Sequence, residues 1–233
     1  EFHNLEEAIN SYDQAIKINP SHAEAYNNRG NALINLERTK LAAESYEEAI
    51  KIKPDLEFLL GSIFNTKQSM CNWESYEKDL KILTQKIIDG DKVSPPFDTL
   101  SFFDSLKLQR ISAEKWVKDK FPLKNIFGPI TKRKKEKKIR LGYYSSDFYN
   151  HPVSFSLAYL LELHDKSKFE LIGFSFGPEK NDEMRKRVSS TFDQFININL
   201  KNDKEVVKLS RDLKIDIAVD LMGFTRNNRF GIF

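Results

Sequence analysis

The sequence predicts α-helical hairpin repeats followed by an α/β lobe with a parallel sheet, and three observations carry that prediction. Ala8, Tyr12, Ala15, Ile16 and Pro20 recur 34 residues later as Ala42, Tyr46, Ala49, Ile50 and Pro54. From Lys138 onward the apolar pattern changes to short strand-like runs alternating with helical ones, the signature of a helix-covered parallel sheet. The run Ile139-Arg140-Leu141-Gly142-Tyr143-Tyr144 leads directly into Ser145-Ser146-Asp147-Phe148-Tyr149-Asn150-His151-Pro152, and open α/β sheets bind ligands at the carboxyl ends of their strands.

The repeat occupies residues 1–55. A period of 34 is that of the tetratricopeptide helix hairpin. The second copy is nearly complete, with Tyr26, Gly30 and Leu33 on its first helix and Ala42, Tyr46 and Ala49 on its second. Gly30 and Ala42 allow paired helices to approach, and the tyrosines are expected to fill the space between neighbouring hairpins. Pro20 and Pro54 end each second helix, since proline lacks the donor needed to continue. An ordinary amphipathic bundle is the alternative, disfavoured by five matches at one spacing. The first copy lacks its opening helix, and a stack normally needs at least three repeats, so the chain reads as cut from something longer.

Residues 56–131 form a helical transition region. Helical spacing of apolar residues runs through 56–66 and 73–88. Ser94-Pro95-Pro96-Phe97 then predicts an extended turn, because a residue before proline avoids the helical region. Phe102, Phe103, Leu106, Leu108, Trp116, Val117 and Phe121 predict one or two further helices whose aromatic face holds two domains together. Phe121-Pro122 and Gly128-Pro129 mark the exit into a basic linker at 132–138.

That linker is strongly charged. Seven cations, Lys132, Arg133, Lys134, Lys135, Lys137, Lys138 and Arg140, against Glu136 give residues 132–140 a net +6, while the whole chain carries +3. No aromatic side chains interleave with them to stack bases, which favours a solvated linker over a nucleic-acid site.

The remaining residues, 139–233, constitute the lobe. Strands are predicted at 139–144, 169–176 and 215–221, with a short apolar run at 195–200. Helices are predicted at 153–163, 182–192 and 203–213, the last with Asp203 as its N-cap. Such connections are right-handed, placing the ends of the first and last strands on one edge. His151 and Gly223-Phe224-Thr225 can then face one crevice. Gly223 permits a close backbone approach to a ligand, and it serves equally well as a plain turn glycine. His151 is the one group of its cluster that exchanges protons near neutral pH. It is read as base or orienting group, with helix capping as the alternative. Asp147 is expected to anchor the loop through following amides, with substrate contact as the alternative.

Composition bounds the rest. In 233 residues, 40% are hydrophobic and 30% charged, and no run approaches the ~18 apolar residues of a membrane helix. Cys71 is the only cysteine, so no intrachain disulfide can form, and a reducing, cytoplasmic setting is expected. His3, His22, His151 and His164 have no cysteine or histidine neighbour at ligand spacing, which argues against a zinc site.

The repeats, then Met70-Cys71-Asn72-Trp73-Glu74-Ser75-Tyr76, Ser94-Pro95-Pro96-Phe97, the 139–152 stretch and Asp220-Leu221-Met222-Gly223-Phe224-Thr225 together resemble bacterial O-linked N-acetylglucosamine transferases and their SPINDLY-like relatives. The resemblance covers essentially the whole chain. Asn72 stands where an aspartate is common, and Phe224 where a tyrosine is common. It implies a GT-B enzyme of two Rossmann-like lobes that inverts configuration while moving a sugar from a UDP-sugar to serine or threonine, without an obligatory metal or other cofactor. His151 matches the family's active-site histidine, whose role as general base is contested there. Ser146, Asp147, Asn150, Gly223 and Thr225 are the expected substrate-binding residues. The repeats would present polypeptide acceptors, with no nucleic-acid or membrane partner. A second lobe would carry most nucleotide contacts, so 139–233 reads as an incomplete first lobe, inactive alone and weak toward UDP. Two alternatives stand beside the transferase reading: a tetratricopeptide scaffold with a non-catalytic lobe, and a SPINDLY-like transferase using GDP-fucose.

Overall fold

The computed structural model describes residues 2–122, 127–130, 136–225 and 227–233, and most of the basic linker lies outside them. The chain divides into two compact units, Glu1–Pro122 and Leu123–Phe233.

The first unit is wholly helical. Helix α1 (Phe2–Ile18) is the second helix of the first repeat, and α2 (Ala23–Asn35) pairs with α3 (Thr39–Ile52) as the complete one. Buried Ile9, Leu33, Ala42, Tyr46, Ala49 and Leu59 form their shared core. Tyr46 shares this core with Ile9 of α1 and Leu59 of the helix that follows, and it also packs inside its own hairpin. Its ring fills the space left by Gly30 within its own hairpin, and its hydroxyl donates to Asn31 Oδ1 at 2.8 Å. The missing side chain therefore sets the helix separation directly.

Four more helices follow: α4 (Leu59–Ser69), α5 (Tyr76–Ile88), α6 (Pro96–Phe102) and α7 (Leu106–Lys120). Helix α4 starts three residues later than its apolar spacing suggests, because Phe58 takes a left-handed φ of 63° as its N-cap. The Phe58 and Gly61 amides donate to the Lys92 and Val93 carbonyls. The proline turn is shorter than expected. Pro95 is extended, but Pro96 already opens α6, a position where a missing donor costs nothing. Phe102, Phe103 and Leu108 pack on Phe64, Leu83, Ile87 and Val93, so these aromatics build the core of the helical unit itself.

The second unit is a four-stranded parallel sheet in the order β3-β2-β1-β4, with β1 (Ile139–Ser145), β2 (Phe169–Ser175), β3 (Gln194–Asn197) and β4 (Ile217–Asp220). Helices α8 (Pro152–Glu162), α9 (Glu183–Thr191) and α10 (Asp203–Asp212) connect them. Alternation along each strand divides the core in two. Leu141, Tyr143 and Leu171 join Ala158, Leu161, Met184 and Val188 from α8 and α9, whereas Tyr144, Ile172 and Phe174 join Val206 from α10. Tyr144 stacks on Phe174 with centroids 4.3 Å apart. The α10 cap is Asn202, not Asp203: its side chain accepts from the Glu205 amide, and Glu205 answers the Asn202 amide. This reciprocal pair satisfies two otherwise orphaned donors, which a lone Asp203 could not do. The helical repeats and the Rossmann-like half sheet are thus both present.

Candidate functional site

Strand β1 ends at Ser145 and the chain turns through Ser146–Asn150 before α8, so the polar cluster lies at the carboxyl edge of the sheet. Local hydrogen bonds fix this loop. Ser145 Oγ accepts from the Asp147 amide at 2.9 Å. The Asp147 carbonyl accepts the Tyr149 amide at 2.8 Å and the Ser154 hydroxyl at 2.6 Å. The main chain of Asp147 therefore anchors the loop, and among the described residues its carboxylate accepts from no following amide. Oδ1 accepts from the Ser146 hydroxyl at 2.7 Å, and Oδ2 lies 3.6 Å from His151 Nδ1.

His151 is the N-cap of α8, with Nδ1 accepting from the Val153 amide at 3.3 Å. Capping and carboxylate contact meet on one nitrogen. The amide requires a lone pair there, and the carboxylate requires a proton. The side chain keeps 34% exposure against 14% for Asp147, so solvent or a ligand reaches the imidazole while the carboxylate stands behind it.

Asn150 is engaged with α9. Its amide donates to Asp182 Oδ2 at 3.0 Å, and its side-chain oxygen accepts from the Met184 amide at 3.3 Å. Burial pushes the Asp182 carboxyl up, but the bonds from the Arg185 and Asn150 amides outweigh it and hold it below the usual carboxylate range. From α9, Arg185 Nη1 reaches the Phe148 carbonyl at 3.2 Å and Ser175 Oγ at 3.3 Å. Gly177, just after β2, crosses directly over Ser146, where a Cβ would fall on the Ser146 carbonyl.

The turn after β4 abuts the same edge. Asp220 accepts from the Met222 and Gly223 amides, and the Thr225 hydroxyl donates to the Met222 carbonyl at 2.7 Å. Gly223 takes a φ of 53° with open space around it. Met222, buried to 4% exposure, places its sulfur 3.4 Å from the Ser146 amide and 3.3 Å from its hydroxyl. The structure thus brings Ser146, Asp147 and His151 together and ties Ser146 to the β4 turn. Among the described residues, Gly223 and Thr225 make no hydrogen bond to the His151 loop.

Asp182 carried a sequence signal, an acid opening a predicted helix. Met222 carried none, because a thioether acceptor is indistinguishable in sequence from a core side chain. Among the described residues, no group of three potential metal ligands clusters, and no helix is long and apolar enough to cross a membrane.

Known proteins resemble this chain in sequence and in fold. Residues 108–233 match glycosyl transferase family 41, and residues 4–37 and 23–56 match tetratricopeptide repeats. The chain is 30% identical over 105 residues to the probable UDP-N-acetylglucosamine–peptide N-acetylglucosaminyltransferase SEC of Arabidopsis thaliana, covering 45% of this chain and 11% of that protein. It is 32% identical over 99 residues to the corresponding probable transferase SPINDLY of the same plant, 41% of this chain and 11% of that protein. A mutant of the Thermobaculum terrenum O-GlcNAc transferase shares the fold with a TM-score of 0.60 and 20% identity, over 99% of this chain and 46% of that one. The chain spans about a tenth of the length of these plant relatives. The family match covers more than half of the chain and contains the whole His151 loop, so this chain belongs to glycosyl transferase family 41.

Proposed function

We propose that the protein carrying this chain transfers a sugar from a nucleotide-sugar to serine or threonine hydroxyls of polypeptides, with N-acetylglucosamine from UDP-GlcNAc as the donor. The observation that supports this most is the family 41 match across the segment where His151 and Asp147 meet at the carboxyl edge of the sheet. In this reading the acceptor hydroxyl approaches His151 Nε2. Taking its proton there requires a lone pair on Nε2, so Nδ1 carries the proton and turns it toward Asp147 Oδ2. The deprotonating oxygen bonds the anomeric carbon from the side opposite the phosphate, the sugar–phosphate bond breaks, and the nucleoside diphosphate leaves with inversion. No obligatory metal enters the scheme. The repeats present the polypeptide, and the setting is cytoplasmic.

A second reading keeps the chemistry and changes the donor to GDP-fucose; the likeness to a SPINDLY protein favours keeping it in view. Incubating the protein with acceptor polypeptide and each nucleotide-sugar, followed by mass spectrometry, separates the possibilities. N-acetylhexosamine on serine or threonine supports the first reading and deoxyhexose the second. No modification with either donor would leave a tetratricopeptide scaffold with a silent lobe.

A further inference from the structure

Beside the His151 loop, at the end of β2, an open cleft of about 410 Å³ is lined by Glu179, Lys180, Asn181, Arg185, Lys186 and Ser189. Three of these six are cations. The one acid among them, Glu179, accepts from the Asn197 side chain on β3, and the neighbouring Asp182, which also feels the Lys180 and Arg185 charges, is occupied by the Asn150 and Arg185 amides. Arg185 is held rigidly, with Nη1 on the Phe148 carbonyl and Ser175 Oγ and its guanidinium carbon 5.2 Å from the Phe195 ring centre. The Lys186 ammonium and the Asn181 amide make no hydrogen bond or ion pair among the described residues. An anchored guanidinium with unengaged cationic and amide donors beside it suits an oxyanion, because charge-assisted bonds are the strong ones.

The cleft is coupled to the candidate site by geometry. Lys180 Nζ lies 4.4 Å from the centre of the Tyr149 ring, and that ring lies 5.6 Å from the His151 ring. Asn150 joins the same loop to Asp182 and Met184 at the start of α9. Loop and cleft therefore form one rim. Lys180 Nζ and the His151 ring centre are thus no more than about 10 Å apart, a span that an extended peptide advancing ~3.3–3.6 Å per residue covers within about three residues.

We propose that this cleft is a subsite for an acidic side chain, carboxylate or phosphate, of the polypeptide acceptor, lying within about three residues of the hydroxyl that meets His151. The inference rests on the polypeptide-acceptor reading above and adds a specificity determinant to it. Lys186 and Lys180 supply the charge that recognises the acid, and Asn181 supplies a neutral donor.

The test is direct binding to the chain by calorimetry at low ionic strength. The probes are serine peptides with Glu at one, two or three residues to either side of the serine, the matching Gln peptides, inorganic phosphate and UDP. One Glu peptide should bind about tenfold tighter than its Gln counterpart, the scale of one charge-assisted contact, and phosphate should compete with it. The exposed double substitution Lys180→Ala with Lys186→Ala should erase that difference while leaving the Gln peptide unaffected. Equal affinities in the original chain, a preference that survives the double substitution, or no peptide binding at all would overturn the proposal. Loss of UDP binding in the double variant would overturn it too, by assigning the cleft to the donor's diphosphate. A glutamate preference here, with no sugar transfer to the same peptides by the full-length protein that carries this chain, would instead sink the transferase reading and leave the subsite standing.

Discussion

His151 Nδ1 sits between the Asp147 carboxylate, 3.6 Å away, and the Val153 amide, 3.3 Å away, and these two partners demand opposite protonation of the same atom. The capping arrangement leaves the proton on Nε2, where the imidazole donates. The carboxylate arrangement leaves a lone pair on Nε2, where it accepts. Exchanging one state for the other takes a proton from one ring nitrogen and returns one to the other through solvent, with Nδ1 re-aimed from the amide to the carboxylate, so the cap of α8 and the chemistry of the loop compete.

This competition can be dissected at His151. In the active protein, His151→Ala should lower turnover by ~10²–10⁴-fold if the imidazole moves the acceptor proton. It should also cost about 0.5–2 kcal/mol of stability through the lost cap. His151→Asn restores a good N-cap without a titratable group. Recovered melting temperature with turnover still depressed is the expected pattern for Asn, and recovered turnover would reduce His151 to a structural role.

Asp147→Asn addresses the other partner. The loop is anchored through the Asp147 main-chain carbonyl, and an amide oxygen can still accept from the Ser146 hydroxyl. The melting temperature should therefore stay close to that of the parent. Turnover should fall by roughly 10–10²-fold, less than the loss of a proton-transfer group itself, because a neutral amide does not favour a proton on Nδ1. A large stability loss with normal turnover would show that the carboxylate is purely structural.

Much of this arrangement was legible in the residues. The 34-residue spacing, the strand ending at Ser145 and the cluster from Ser146 to His151 follow from local pattern, because backbone donors and apolar periodicity act over short range. Less legible was what depends on residues distant in sequence. Tyr46 reaching Gly30, Asn150 bracing α9 and the Met222 sulfur under Ser146 are choices between sterically allowed partners that only the packed sheet decides. Helix starts drifted for a related reason. The left-handed Phe58 is fixed by its amide bond to the Lys92 carbonyl, a contact with no local signature.

Gly177→Ala tests the close approach that closes the rim. A Cβ at this position would overlap the Ser146 carbonyl oxygen, which is backbone and cannot rotate away. The β2–α9 connection must shift, at a cost of about 1–3 kcal/mol, and the shift moves Ser146 and hence Asp147. Denaturant titration should show that loss together with reduced turnover. An unaltered midpoint would mean the loop relaxes freely.

The helical unit carries its own pH signature. Burial pushes the Asp98 carboxyl up to about 6, against the opposing bonds from Ser62 and Asn65. The folded state therefore holds this proton more tightly than the unfolded chain, where the value is about 4. Stability from this group is full below pH ~4, declines between pH ~4 and ~6, and stays level above, a total of ~2–3 kcal/mol. Asp98→Asn should flatten that decline and raise the melting temperature at neutral pH. An unchanged slope between those pH values in the variant would contradict the assignment.

The strand order has a consequence for how the site comes into being. Strand β1 is the earliest strand in the chain, yet it lies inside the sheet and pairs with β4, and Ser146 meets Met222 across 76 residues. At ~5–20 residues per second, a ribosome takes about 4–15 s to supply that partner. During that interval β1 can pair with β2, but its other edge stays open and Ser146 waits without the sulfur beneath it. Nascent chains should therefore acquire the β1–β2 pairing first and a rigid His151 loop last. A slowdown of translation within the α10–β4 segment would prolong the stage at which that open edge is vulnerable to pairing with another chain.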